Sequence, residues 1–230
     1  MVIIDPPDMP AEVAHDPGFG DDSMPVITRW AEYFGPLVRQ SWRVLEDGGA
    51  LIVIGNPSIR SGFELAMSSA GERFLLANEF VVLWRGASTK QGRRKSTPLV
   101  ESLTTSIHWY TKRGLRGHKP TCVVESPSNT VVCERIPVSD RYAPCQRPVE
   151  LFIYLISLLT EPDGLVVDPY CGTGSSLVAA EIAERRWIGG DIDAGMVEIA
   201  RRRVATIDHE EADLRPFYLW TPARLVELYG

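Results

Sequence analysis

Two acidic segments of this chain carry residue types suited to chemistry. The first is Ile4-Asp5-Pro6-Pro7-Asp8, near the start. Its β-branched run Val2-Ile3-Ile4 stops at a carboxylate, and the prolines make a rigid acidic loop at the strand end. Such a loop suits an amino group. The second is Val166-Val167-Asp168-Pro169-Tyr170-Cys171-Gly172-Thr173-Gly174-Ser175. It reads as a strand, a glycine turn and a helix start, which brings backbone N–H groups and a positive helix end to a ligand. Trp187-Ile188-Gly189-Gly190-Asp191 then sets a carboxylate at the end of the next strand, about 20 residues on, where Rossmann-like folds grip a ribose diol. Leu177 stands where the dinucleotide fingerprint has its third glycine. With no pyrophosphate to cradle, S-adenosylmethionine suits the loop better than NAD.

The elements that must position these residues follow from periodicity. Val26 to Leu45 has helical spacing, with Trp30, Phe34, Leu37, Val38, Trp42 and Leu45 three or four apart. Ala50 to Gly55 is a buried strand, Ser61 to Ala70 a helix, Phe80 to Trp84 and Thr104 to Thr111 strands. Thr121 to Glu125 and Thr130 to Glu134 are shorter strand candidates in a turn-rich stretch. Pro148 opens an amphipathic helix with Val149, Phe152, Ile153, Ile156 and Leu159 on one face. Leu165 to Val167, a helix through about Ala183, the strand Trp187 to Gly190 and a helix carrying Val197, Ala200 and Val204 complete the order. Strands alternating with helices imply an α/β fold with a mostly parallel sheet and helices on both faces.

Composition sets outer bounds. The chain has 230 residues, 44% of them hydrophobic and 23% charged, which is ordinary for a globular protein. No apolar run approaches the roughly 20 residues that span a bilayer, and no secretory leader is visible, so a cytoplasmic protein without membrane contact is expected. Cys122, Cys133, Cys145 and Cys171 are too widely spaced for a zinc site; they read as small buried hydrophobes, and no metal is expected. The net charge of −6 is the wrong sign for a protein that coats nucleic acid. Positive charge is nevertheless concentrated at Lys90, Arg93, Arg94 and Lys95, and again at Lys112, Arg113, Arg116 and Lys119.

Taken together, these segments resemble the amino-methylating DNA methyltransferases of the permuted "beta" order, which modify adenine N6 or cytosine N4. The resemblance is carried by Asp5-Pro6-Pro7, Arg43-Val44-Leu45 with Gly48-Gly49, Arg147-Pro148-Val149-Glu150-Leu151, Asp168 to Ser175, and Ile188 to Asp193 ahead of Ala200-Arg201-Arg202. They run in family order to about residue 205. The resemblance implies a Rossmann-like, S-adenosylmethionine-dependent fold. It implies a catalytic half at 1–85, a target-recognition insert at 86–145, a cofactor-binding half at 146–205 and a tail at 206–230. Asp5, Pro6 and Pro7 are the implied catalytic residues: the carboxylate and the Pro6 carbonyl accept the two amine N–H bonds, and the nitrogen lone pair is freed for attack on the sulfonium methyl. Asp168, Tyr170, Cys171, Gly172, Thr173, Gly174, Ser175 and Asp191 are the implied cofactor contacts. Ser175 reads equally as a helix N-cap. Arg147 is placed against the cofactor's carboxylate end, unless Pro148 alone accounts for the helix start. Double-stranded DNA is the implied partner, with Lys90, Arg93, Arg94 and Lys95 on its phosphates. So few residues in the insert imply a short recognition sequence or one read by a homodimer.

Two departures bear on activity. Where the family has an aromatic after Pro-Pro, this chain has Asp8, which cannot stack on a flipped base. Family members also carry a strand and helix ahead of the catalytic strand; either the sequence begins within a longer chain or residues 206–230 supply that element. The expectation is a site-specific adenine-N6 methyltransferase, Asp-Pro-Pro leaning to adenine in the family. The alternatives are cytosine N4, or a catalytically weak or silent DNA-binding relative on account of Asp8. Methyltransferases of RNA or protein amides place the acidic loop after the cofactor loop, so motif order argues against them.

Overall fold

Strand β1 (Val2–Ile4) is the centre from which the fold is built. In the computed structural model, which describes residues 1–6, 26–55, 57–85, 104–113 and 128–207, all three of its residues are buried. β1 pairs in parallel with β2 (Ala50–Gly55) on one side and β6 (Leu165–Asp168) on the other. The remaining strands are β3 (Phe74–Arg85), β4 (Thr104–Lys112), β5 (Thr130–Glu134) and β7 (Arg186–Gly189). Together they form one sheet in the order β5-β3-β4-β2-β1-β6-β7. Only β4 runs against its neighbours β2 and β3; the other pairings are parallel.

Helices cover both faces, because successive strand side chains point to opposite sides. Val2 and Ile4 of β1 pack with Leu51 and Val53 of β2 against α1 (Val26–Val44) and α2 (Pro57–Ala70). Trp30, Phe34 and Val38, one face of α1, fill that layer, with Phe34 and Phe63 in edge-to-face contact at 5.3 Å. Ile3, Ile52, Ile54 and Val166 point the other way, onto α3 (Val149–Leu159) and α4 (Ser175–Ile182). A smaller cluster of Cys171, Leu177 and Ala200 seats α5 (Ala194–Ala205).

Two expectations change. α3 is buried over more than the one face expected: Leu151 through Ile156, Leu158 and Leu159 are all buried where the helix packs on the sheet and beside α4, while Glu150 is exposed. β3 begins at Phe74, well before Phe80, because its pairing with β4 extends to Phe74↔Lys112. The strands expected at Thr104 to Thr111 and Thr130 to Glu134 are present, β4 lying between β2 and β3 and β5 along the far edge of β3. Of the cysteines, Cys133 and Cys171 are buried as expected, whereas Cys145 is exposed. Pro7, Asp8, Lys90, Arg93, Arg94, Lys95, Cys122, the strand candidate Thr121 to Glu125 and the tail from residue 208 lie outside the described residues.

Candidate active site

The path from β1 through α1 to β2 moves one way across the sheet, and the path from β6 through α4 to β7 moves the other. The boundary between β1 and β6 is therefore a topological switch point, where open α/β sheets bind ligands beyond the carboxyl ends of their strands. Asp5 directly follows β1, and Asp168 ends β6. The two acidic segments, far apart in sequence, meet there.

Asp168 is the buried member, 2% exposed. The Tyr170 backbone N–H donates to its Oδ1 at 2.9 Å, and the Ser176 hydroxyl donates to its Oδ2. Burial nevertheless dominates and pushes its pKa up to about 7, with the nearby charges of Asp5 and Asp191 adding to the rise. Asp191 ties the two loops together. Its Oδ2 accepts from Gly172 N at 2.9 Å and its Oδ1 from Asp193 N at 3.0 Å. Cys171 N donates to Gly190 O at 2.9 Å, closing the turn onto β7. Asp193 in turn caps α5, accepting from Gly195 N at 2.7 Å and Met196 N at 3.3 Å.

The glycine turn has its own logic. Gly174 is the N-cap of α4, at φ +81°, and an added Cβ would stand 2.6 Å from the Ala200 Cβ. Only glycine meets both demands, and Ser175 is thereby displaced from the cap to the first helical position, where it is buried. Leu177 is accommodated by a trade: a Cβ on Gly189 of β7 would lie 2.4 Å from Leu177 Cδ1. The close helix–strand approach that the fingerprint gets from a helix glycine is here obtained from a strand glycine instead. At Gly172 (φ +49°) and at Gly190 a side chain would project into open space, so the turn borders room for a ligand.

Several residues of the site gave no signal in the sequence. Arg203 of α5 donates from Nη1 to Thr173 O at 2.7 Å, Thr173 Oγ1 at 3.2 Å and Ser175 Oγ at 3.3 Å, and its guanidinium lies 5.0 Å over the Tyr142 ring. Thr173 is 5% exposed, so it serves the loop's internal framework. Tyr33 of α1 shares a 2.7 Å hydroxyl hydrogen bond with Tyr170, and burial together with this bond raises the Tyr170 phenol. The Cys171 thiol is raised to about 11 by burial, which keeps it protonated and unreactive at neutral pH.

Arg147 reaches the carboxylate that follows β1. It donates from Nε to Asp5 Oδ2 at 2.9 Å and from Nη2 to Asp5 Oδ1 at 3.0 Å, a two-point grip across 142 residues of chain. The side chains are 29% and 17% exposed.

The room beside Gly172 and Gly190, the carboxylates Asp5, Asp168 and Asp191, and the backbone turn fit a cofactor with a ribose and a positive sulfonium. Among the described residues no cluster of His, Cys, Asp or Glu is placed to hold a metal ion, and no helix is long and apolar enough to cross a membrane.

Comparison with known proteins identifies the family. A family model described as DNA methylase, of the N6/N4 methyltransferase group, matches residues 1–202. The type II methyltransferase M.HindIII of Haemophilus influenzae is 31% identical over 130 residues, 54% of this chain but only 39% of that protein. Among solved structures, the cytosine-N4-specific PvuII DNA methyltransferase superposes with a TM-score of 0.68 at 17% identity, covering 94% of this chain and 83% of that one. M1.HpyAVI in its complex with SAM superposes with a TM-score of 0.61 at 18% identity, covering 88% and 87%. The folds therefore coincide nearly end to end, while the chain spans well under half of its curated relative M.HindIII. On the family match over most of its length, this chain belongs to the N6/N4 DNA methylases.

Proposed function

We propose that this chain transfers a methyl group from S-adenosylmethionine to the exocyclic amine of a flipped base in duplex DNA, adenine N6 ahead of cytosine N4. The observation that carries this reading is the meeting of Asp5 with Asp168 at the carboxyl ends of adjacent strands β1 and β6. When bound, the cofactor supplies an electrophilic methyl on a sulfonium. Asp191 is suited to its ribose diol, and the 170–175 turn to its adenosine and tail.

The exocyclic amine is a poor nucleophile because its lone pair is delocalised into the base. Asp5 and the Pro6 carbonyl accept its two N–H bonds, which localises the lone pair for attack. Taking the base out of the duplex costs a few kcal/mol. Aromatic stacking ordinarily returns about 1–3 kcal/mol of that, and Asp8 does not provide it. The basic residues Lys90, Arg93, Arg94 and Lys95, within the 86–145 recognition region, are assigned to DNA phosphates.

The decisive experiment is mass spectrometry of nucleosides from DNA of cells expressing this chain. A new 6-methyladenine peak is expected. A 4-methylcytosine peak would move the reading to cytosine N4. Neither peak, with S-adenosylmethionine still bound by the purified protein, would leave a cofactor-binding relative that does not turn over.

A further inference from the structure

Arg147 is held where it contacts the residue assigned to the target amine. We infer that Arg147 is a positioning residue for Asp5, fixing the plane of its carboxylate through the two-point contact so that the remaining lone pairs face the target N–H. This rests on the reading of Asp5 given above.

Two parallel N–H···O contacts, at 2.9 and 3.0 Å, fix a carboxylate in rotation as well as in place, which a single contact does not. A carboxylate has about four lone-pair sites, so two N–H bonds from Arg147 leave acceptor capacity on both oxygens. The grip therefore does not block an amine. The surroundings of the pair favour the same role. Asp5 is only 17% exposed and acts electrostatically on Asp168, itself 2% exposed and close to Asp191. Within that acidic group, the Arg147 guanidinium supplies the opposite charge in direct contact with Asp5. Arg147 is also well anchored to do this. It immediately precedes Pro148, the N-cap of α3, whose side chains are buried nearly all round. The arginine thus rides on a rigid part of the core, while Asp5 rides on the end of a fully buried strand.

Two other roles make different predictions. An arginine that binds the cofactor's carboxylate would set cofactor affinity. An arginine that merely locks Asp5 away would restrain turnover, so its loss would raise the rate.

The test is a double-mutant cycle on the full chain, using Arg147→Gln, Arg147→Lys, Asp5→Asn and the double variant Asp5→Asn/Arg147→Gln. Methyl transfer to duplex DNA, S-adenosylmethionine binding by calorimetry and Tm without cofactor are all measured. Arg147→Gln should lower kcat by about 100-fold, the loss expected of a small misplacement at a reacting group, with cofactor Kd changed less than about 3-fold. Arg147→Lys should recover part of kcat, since lysine keeps the charge but not the fork. The double variant should be no slower than Asp5→Asn alone, as expected of residues acting as one unit. Its Tm should also fall by less than the sum of the single losses. A raised kcat, a cofactor Kd weakened more than tenfold with kcat unchanged, or additive losses would each overturn the positioning role. A wild-type protein that methylates no duplex overturns the proposed function itself, whereas an active wild type with any of those three patterns overturns only the role of Arg147.

Discussion

Each carboxylate of the site is distinguished by what surrounds it, and each makes a separate prediction. Under the proposed function Asp5, presented at a strand end, accepts from the target amine. Asp5→Asn should reduce methyl transfer by about 100- to 1,000-fold, the usual cost of removing one group that stabilises developing charge, while leaving cofactor affinity nearly unchanged by calorimetry. Asp168 is the buried carboxylate of the site, and its environment has a measurable signature. Its folded pKa of about 7 lies above the roughly 3.9 of a free aspartate. Between these values the folded state holds the proton more tightly than the unfolded chain. This group's contribution therefore becomes less favourable as pH rises from about 4 to 7, by on the order of 4 kcal/mol, and is level above that. Asp168→Asn removes the titration, so its Tm against pH should be flatter than wild type across that window and relatively higher at pH 8. Identical slopes for the two proteins would refute it. Asp8 offers a gain rather than a loss: Asp8→Tyr should raise kcat/KM by roughly 5- to 150-fold, the equivalent of about 1–3 kcal/mol of base stacking.

At the scale of elements, the glycine turn shows how packing rather than motif spelling decides a loop. α4 approaches β7 closely although Leu177 fills the place of a fingerprint glycine, because Gly189 on the strand yields the space. Gly189→Ala should then cost about 1–3 kcal/mol in chemical denaturation, as overpacking does. Combined with Leu177→Ala, which alone leaves a cavity at a residue only 3% exposed, the total loss should be smaller than the sum. Strict additivity would mean that the two side-chain positions do not compete for one space. Packing decides the part played by α3 as well. Its burial over most of its surface makes it a firm support for Arg147, which precedes it.

For the molecule as a whole, the site sits where the two halves of the sheet diverge, and its charge is local. Under the proposed function a chain with a net charge of −6 has to bind DNA, so attraction has to come from concentrated cations. Replacing Lys90, Arg93, Arg94 and Lys95 by alanine should weaken binding about equally across DNA sequences. It should also reduce the slope of log Kd against log salt by as much as about 3–4, near 0.9 for each phosphate no longer neutralised. An unchanged slope would place the DNA-binding cations elsewhere in the chain.

The sequence alone determined the family and the order of the sheet-forming elements along the chain, and it singled out the residues to which the proposed chemistry is assigned. These depend on local spacing: a strand's period, a proline pair, a glycine turn and a carboxylate about 20 residues further on. Val2 to Ile4, Ala50 to Gly55, Thr130 to Glu134 and the cofactor turn could all be recognised this way. Tertiary structure decided which groups share a partner. Arg147 and Asp5 lie 142 residues apart, Arg203 reaches back to Thr173, and Tyr33 meets Tyr170, contacts with no period to betray them. The same holds for α3, whose apolar residues suggested one face until the sheet and α4 enclosed it. Local geometry is encoded by neighbours in the chain, whereas the pairing of charges is set by which strand ends the sheet order brings side by side.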